Sequence, residues 1–190
     1  MCIRDSNIID NTCRASPVIV IISLIFLYLM NNDIWPVYLS LLLILGEYGN
    51  HFLLKNGFFK YLYKYYGIIN RNKQLYIPVL GIYPRPMNAM DCALFIDRKN
   101  NRNKSPGMSS GHAQFIFSFV IFVICYLKKK KDNNYYLKSL ILLLIAVLIS
   151  LSRVYIANCH TLQQVIIGSL IGYSYGYFLF ILLDKYNYIK

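Results

Sequence analysis

Residues that can do chemistry occur in three short stretches of this chain, separated by long apolar runs. The stretches are Arg85-Pro86, residues 109–112 with the sequence S-S-G-H, and residues 152–160, which begin with S-R and end with a histidine. Two imidazoles and two guanidinium groups can supply the nucleophile, the proton donor and the cations that transfer of a phosphoryl group requires. Because such groups are costly in a bilayer, their occurrence between apolar runs predicts a functional site.

The stretch 109–112 has the composition of a helix amino terminus. Serines such as Ser109 and Ser110 cap helices, and the backbone N–H groups of a first turn lack partners within the helix. Those donors and the helix dipole favour an anion, while Gly111 allows the backbone to approach a ligand closely. An ordinary helix cap followed by a surface histidine, His112, would give the same pattern, so this stretch alone does not define a site.

The third stretch places an arginine and a histidine at helical spacing. Arg153 and His160 are seven residues apart, so on a continuing helix both side chains would point the same way. Gln164 follows four residues later, where it can accept a hydrogen bond from one ring nitrogen of His160. That bond would fix the tautomer and direct the other nitrogen at a substrate. The alternative is a satisfied core histidine with an interfacial arginine.

The elements that must position these residues are apolar. The 190 residues are 57% hydrophobic, with a mean hydropathy of +0.43 and a net charge of +12. The apolar runs cover residues 17–30, 34–54, 113–127, 137–156 and 162–183. They predict an all-α fold, a multi-span transmembrane helical bundle of about five helices. The positive charge fits anchoring at the membrane surface or phosphate binding, and no soluble basic module is left to bind nucleic acid.

The runs divide the chain into an N-terminal tail, residues 1–16, a membrane domain, residues 17–183, and a C-terminal tail, residues 184–190. The membrane domain contains one long polar loop, residues 55–112, which would carry part of the site. Within that loop, residues 58–66 interleave aromatic rings with lysines, as in a helix lying at the membrane interface. The first six residues have no apolar core, so no signal peptide is predicted.

Charge predicts the orientation of the bundle. Four lysines at residues 128–131 favour a cytoplasmic turn. Five spans then put the loop 55–112 on the lumenal or exterior side, although that loop is itself basic. Glu47 falls inside the second apolar run, where it is either a helix-end residue or a functional carboxylate that pairs with an arginine of the site. The five cysteines lack zinc-like spacing, so no metal site or cofactor is predicted, and Cys159 is interpreted as a packing residue.

Taken together, the three stretches resemble the motifs of the type 2 phosphatidic acid phosphatase (PAP2) superfamily. Those motifs are K-x-x-x-x-x-x-R-P, P-S-G-H and S-R-x-x-x-x-x-H-x-x-x-D. The second reads S-S-G-H here, with Ser109 in place of proline, and the third reads S-R-V-Y-I-A-N-C-H-T-L-Q-Q, with Gln164 in place of aspartate. Within the superfamily the chain is most similar to dolichyldiphosphatases, in G-M-S-S-G-H-A-Q-F at 107–115, in C-H-T-L-Q-Q-V-I-I-G at 159–168 and in G-E-Y-G-N-H-F-L-L-K-N at 46–56.

The resemblance implies roles for single residues. His160 would be the nucleophile and His112 the general acid and base, while Gln164 would orient His160 without adding negative charge. The phosphate-binding residues would be Arg85, Arg153, Ser110, Gly111 and Lys55. Lys55 would match the family lysine only if a long insertion separates it from Arg85, so Lys60, Lys64 and Lys73 are alternatives.

The expected function is that of a metal-independent integral membrane phosphatase. Its partners would be membrane lipids and a lipid phosphate or diphosphate, with dolichyl diphosphate favoured, and the reaction would pass through a phosphohistidine. The membrane would be the endoplasmic reticulum, with the active side lumenal, in a eukaryote, or the plasma membrane in a bacterium. Two alternatives stay open. One is a broader lipid phosphate phosphatase, and the other is a non-enzymatic protein that binds lipid headgroups.

Overall fold

The computed structural model describes residues 8–65, 75–77, 81–83 and 107–189. The α-helices are α1 (Ile8–Asn31), α2 (Trp35–Gly49), α3 (Lys60–Tyr65), α4 (Gly111–Lys129), α5 (Tyr135–Tyr155) and α6 (Leu162–Lys185). A π-helical segment, Asn50–Phe59, joins α2 to α3. Two short strands, β1 (Leu75–Ile77) and β2 (Gly81–Tyr83), pair antiparallel.

Five helical stretches are long and apolar enough to cross a membrane, which confirms the multi-span helical bundle. These spans are Asp10–Asn31, Trp35–Tyr65, Gly111–Lys129, Tyr135–Tyr155 and Leu162–Lys185. Large apolar side chains point outward from them, such as Phe26 and Leu29 on α1 and Leu148 on α5. An outer surface of that kind suits hydrocarbon rather than water. The two-stranded hairpin is the one addition to the helical fold within the described residues.

The first helix is longer than its apolar run. It begins at Ile8, so residues 8–16, predicted as part of a tail, are helical. Asp10 and Arg14 stabilise this extension because they form an i,i+4 ion pair of 2.7 Å. Pro17 lies inside the helix and cannot donate to the carbonyl of Cys13, which accepts a hydrogen bond of 2.8 Å from the Ser16 hydroxyl instead.

The second span also exceeds its prediction. α2, the π-helical segment and α3 form one helical stretch, Trp35–Tyr65, so the chain remains helical well past Lys55. The aromatic and lysine residues expected in an interfacial helix form the end of this span. Its last turns are held by packing, because Phe59 and Tyr63 are buried against Met108, just before α4. That contact positions the start of α4 beside the second span.

Helices α4 and α6 pack closely along a glycine stripe. Gly168, Gly172 and Gly176 recur every four residues on α6 and face Ser110, Gln114 and Ser118 on α4. A Cβ at Gly168 would lie 2.6 Å from the carbonyl oxygen of Ser110, so any side chain here would push the helices apart. Small residues at this spacing let helix backbones approach in membranes. The pair brings together the two helix starts that carry the predicted motifs.

The turn between α4 and α5 lies at the opposite end of the bundle and is rich in charge. Lys129 donates to the Asp184 carboxylate and to the carbonyl of Ile189, so the residues that follow α6 pack against this end. Lys138 donates to Asp132 over 2.6 Å, and this bond holds the pKa of the Asp132 carboxyl below its usual range. The four lysines therefore lie far from the motif residues.

Candidate active site

The turn at residues 109–112 is bonded to both of its neighbours. Ser110 caps α4, its hydroxyl accepting from the backbone N–H of Ala113, and its own N–H donates to the carbonyl of Gln164 over 3.1 Å. Ser109 donates its hydroxyl to Oδ1 of Asn50 over 2.7 Å, a bond between buried side chains. A proline at position 109 has no hydroxyl and could not make that bond, so Ser109 adds a contact that the proline of the family motif lacks.

Arg153 and His160 come together by a different route from the one expected. The helix ends at Tyr155 instead of continuing, and the chain folds back. The carbonyl of Arg153 then accepts hydrogen bonds from the N–H groups of Cys159, at 3.0 Å, and His160, at 3.3 Å. The Arg153 side chain has no exposed surface, and His160 is 3% exposed. The helix does not continue through residues 153–160, but the two residues are neighbours.

The bonds around Gln164 define the state of His160. The Nδ1 atom of His160 lies 3.2 Å from Oε1 of Gln164. The backbone N–H of Thr161 donates to the same oxygen, which completes a capping box at the start of α6. Since that N–H can only donate, the shared atom is the amide oxygen, and the His160 Nδ1 must carry a proton. In the neutral ring the lone pair is therefore on Nε2.

His112 is held in a similar way, but by the backbone. Its Nε2 lies 3.1 Å from the carbonyl oxygen of Arg14 on α1. A carbonyl only accepts, so Nε2 carries a proton and Nδ1 is the nitrogen free of this bond. Among the described residues, the positive charges of Arg153, Lys55 and Arg14 all act on this imidazole. Three separate helical segments therefore bring cations to one histidine.

Two residues of α1 belong to this cluster, although the sequence reasoning assigned them to a tail. The carboxylate of Asp10 contacts two arginines, with Oδ2 2.7 Å from Nε of Arg14 and Oδ1 4.0 Å from Nη1 of Arg153. Arg14 is only 3% exposed. The signal in the sequence is an acid and a base four residues apart directly before an apolar run, which indicates a polar first turn of the same helix.

The structure separates the candidate lysines. Lys55 is 8% exposed and its charge acts on both Glu47 and His112, whereas Lys60 and Lys64 are exposed. Lys73 lies outside the described residues. Lys55 is thus the candidate that the described geometry brings to the cluster.

Glu47 lies directly against the start of α4. A Cβ on Gly111 would collide with its carboxylate, so glycine at this position makes room for the acid. Asn50 and Lys55 are the polar groups that act on Glu47. No ion pair joins Glu47 to an arginine within the part of the chain that the structure describes.

Arg85, like Pro86, lies outside the described residues, but the strand before it is located. β2 ends at Tyr83, two residues earlier, and its first residue, Gly81, has a positive φ of 76°. A Cβ at Gly81 would collide with the side chain of Thr161, the residue after His160. The hairpin therefore brings the chain close to His160 shortly before Arg85.

Cys159 is disulfide-bonded, while Cys13 and Cys125 are free thiols. The side chain of Cys159 is fully buried beside Ala157, as expected of a packing residue, and the disulfide is an addition to that interpretation. The remaining cysteines, Cys2 and Cys92, lie outside the described residues. A covalent link thus begins at the residue directly before His160.

Comparison with protein families matches residues 74–188 to the PAP2 superfamily. The match includes Arg85 and the stretches 109–112 and 152–164, and it leaves Glu47 and Lys55 outside. No curated protein and no solved structure matches the chain. Because the match spans more than half of the 190 residues, the chain belongs to the PAP2 superfamily, whose members are phosphatases that act on lipid phosphates.

Proposed function

We propose that this protein is a metal-independent membrane phosphatase that hydrolyses a polyprenyl diphosphate, such as dolichyl diphosphate, through a phosphohistidine. The observation that carries the proposal is the bonding around His160. Its Nδ1 proton is donated to a hydrogen bond with Oε1 of Gln164, so the lone pair of the neutral ring is on Nε2, and its backbone N–H donates to the carbonyl of the buried Arg153. A neutral imidazole with its lone pair on Nε2 is suited to attack on phosphorus.

In the first step, the Nε2 lone pair of His160 forms a bond to phosphorus, and the bond from phosphorus to the leaving oxygen breaks. His112 enters this step as an imidazolium with a proton on each ring nitrogen, and it gives the Nδ1 proton to that oxygen as it leaves. Arg153, Lys55 and the backbone N–H groups at the start of α4 would bind the equatorial oxygens, with Arg85 assigned to them by the family motif. These groups supply the nucleophile, the acid and the positive charge of the reaction.

In the second step, water attacks the phosphohistidine. His112, now without its proton, takes one from the water while the bond between phosphorus and Nε2 of His160 breaks. Inorganic phosphate leaves, and both imidazoles return to their starting protonation. The carbonyl of Arg14 would orient His112 through Nε2 throughout, which leaves Nδ1 to exchange the proton.

Labelling of the phosphoenzyme tests this mechanism. Purified protein is given dolichyl diphosphate labelled with ³²P in the presence of chelator and then denatured in alkali, which preserves phosphohistidine. The wild type should release phosphate and retain label, and His112→Ala should retain label with slower release. His160→Ala should show neither, and vanadate should inhibit the wild type. Label that survives in His160→Ala would contradict the assigned nucleophile.

Substrate choice has a physical argument in Gln164. A neutral amide stabilises a protonated His160 less than a carboxylate would, which suits a diphosphate because its leaving group is good. Rates with dolichyl diphosphate, dolichyl phosphate, phosphatidate and a sphingoid phosphate compare this proposal with a broad lipid phosphatase. Binding of these lipids without any phosphate release would favour the headgroup-binding alternative, which the missing negative charge at Gln164 motivates.

We also propose that the site faces an oxidising compartment. The disulfide at Cys159 supports this orientation, because disulfides persist in the lumen of the endoplasmic reticulum or outside a bacterial plasma membrane. The lysines at 128–131, at the other end of the bundle, would then be cytoplasmic.

Maleimide labelling of unreduced, denatured protein tests the disulfide at Cys159. One disulfide among five cysteines leaves three reactive thiols, and Cys159→Ser should raise the number to four. Five reactive thiols in the wild type would contradict it.

A further inference from the structure

A cavity of about 630 Å³ lies between α1, the second span and the first turn of α4. Its volume is in the range of small-molecule binding sites, roughly 300–1,000 Å³. His112 and Gly111 form part of its wall, so it is continuous with the candidate active site. Apart from Glu47 and His51, the remaining wall consists of apolar and aromatic residues.

One face of α1 runs from the polar cluster into this cavity. Asp10 contacts Arg153, and one turn later the carbonyl of Arg14 contacts His112. One and two turns further along the same face, Val18 and Ile22 line the cavity. The face therefore changes from charged to apolar along about 18 Å of helix. A lipid with a phosphate head has the same order of groups.

The second span forms the opposite wall. Ile44, Tyr48 and Phe52 line the cavity at four-residue spacing. Glu47 closes the polar end against Gly111. Ile22 and Tyr48, on the two walls, are 61% and 59% exposed, so the cavity opens between the two spans toward the surrounding hydrocarbon.

We propose that this cavity binds the hydrocarbon chain of the lipid substrate next to its phosphate, an inference that rests on the proposed function. The cavity has room for the first units of the chain only, and the remainder lies in the bilayer beyond Ile22. The site therefore selects for a hydrocarbon chain attached to the phosphate and not for the total length of that chain. Apolar contact with the cavity walls stabilises the bound chain.

A matched pair of variants on α1 tests the proposal. Ile22→Trp fills the cavity mouth, whereas Ile25→Trp places the same ring on the same helix at a residue that is 47% exposed and does not line the cavity. The measured quantity is the ratio of kcat/KM for a long-chain polyprenyl diphosphate to kcat/KM for the soluble isopentenyl diphosphate. Ile22→Trp should lower this ratio at least tenfold, and Ile25→Trp should leave it unchanged.

The outcomes distinguish the two proposals. If the wild type releases phosphate from neither compound, the proposed function fails. If the wild type hydrolyses both compounds and Ile22→Trp leaves the ratio unchanged, the chain does not occupy this cavity. An equal loss of the ratio in Ile25→Trp would also overturn the inference, because the effect would then come from the bulk of tryptophan on α1.

Discussion

The Nδ1 atom of His160 lies 3.2 Å from Oε1 of Gln164, and the same oxygen accepts the backbone N–H of Thr161. Gln164 thus serves two partners at once, one in the site and one in the cap of α6. A carboxylate is not needed for either bond, because both partners are donors. The glutamine therefore fixes the tautomer of His160 without itself adding a negative charge beside the ring.

Substitution of Gln164 separates orientation from charge. Gln164→Leu removes the acceptor and leaves the Nδ1 proton without a partner, which costs about 1–3 kcal/mol. We expect kcat to fall by roughly 5–150-fold. Gln164→Glu keeps the acceptor, so it should retain activity. Its acidic limb of kcat/KM against pH should move to higher pH, because the carboxylate favours the protonated ring. Full activity in Gln164→Leu, together with an unchanged acidic limb in Gln164→Glu, would contradict the orienting role of Gln164.

Lys55 should be the lysine that binds phosphate. Removal of a buried charged hydrogen-bond donor costs about 1.5–3 kcal/mol, so Lys55→Ala should lower kcat/KM by roughly 10–150-fold. Lys60→Ala and Lys64→Ala are matched controls on the same span, since both side chains are exposed, and each should retain wild-type activity. A loss confined to Lys60 or Lys64 would assign the role to that residue instead.

Asp10 should compete with phosphate for Arg153. Its carboxylate lies 4.0 Å from Nη1 of Arg153, a distance at which opposite charges attract strongly in a protein. Asp10→Asn removes this counter-charge, so the inhibition constant of vanadate should fall about fivefold or more. Asp33→Asn makes the same charge change at an exposed residue of the turn after α1 and should have no effect. A higher constant in Asp10→Asn would mean that Asp10 organises the arginines for binding.

The same substitution should have opposite effects at a glycine of the α6 stripe and at Gly49 on α2. A Cβ at Gly172 would press on the backbone of Gln114, so Gly172→Ala should destabilise the bundle by about 1–3 kcal/mol. Nothing lies within 4 Å of a Cβ at Gly49, so Gly49→Ala should stabilise by about 0.5–1 kcal/mol. Thermal unfolding in detergent measures both. Similar Tm values for the two variants would rule out close packing at Gly172.

The sequence located the membrane spans because hydrophobic side chains report directly on the bilayer. It did not locate the start of α1, since Asp10 and Arg14 look like solvated tail residues until their partners are known. These partners, Arg153 and His112, are far away in the chain. Contacts of that kind follow from packing and leave no local pattern.

The seven-residue spacing suggested that Arg153 and His160 lie close together, and they do. They meet because the chain folds back after α5 and not because the helix continues. A helix and a chain that folds back on the Arg153 carbonyl both bring residues seven positions apart together. In contrast, the pairing of His160 with Gln164 could be predicted, because both lie within one turn at the start of α6. The disulfide at Cys159 could not, since cysteine spacing alone does not define a partner.

Both histidine-bearing segments are joined to the tightly packed α4–α6 pair, through the bond from Ser110 to Gln164 and the contact of Gly168 with the Ser110 carbonyl. This pair has no spare room, so it cannot widen to admit a bulky lipid. α1 and the second span form the other side of the cavity opening, and in the described residues no glycine stripe packs these two spans against each other. We therefore expect these two spans to give way during entry and exit, while the distance between the reacting groups stays constant.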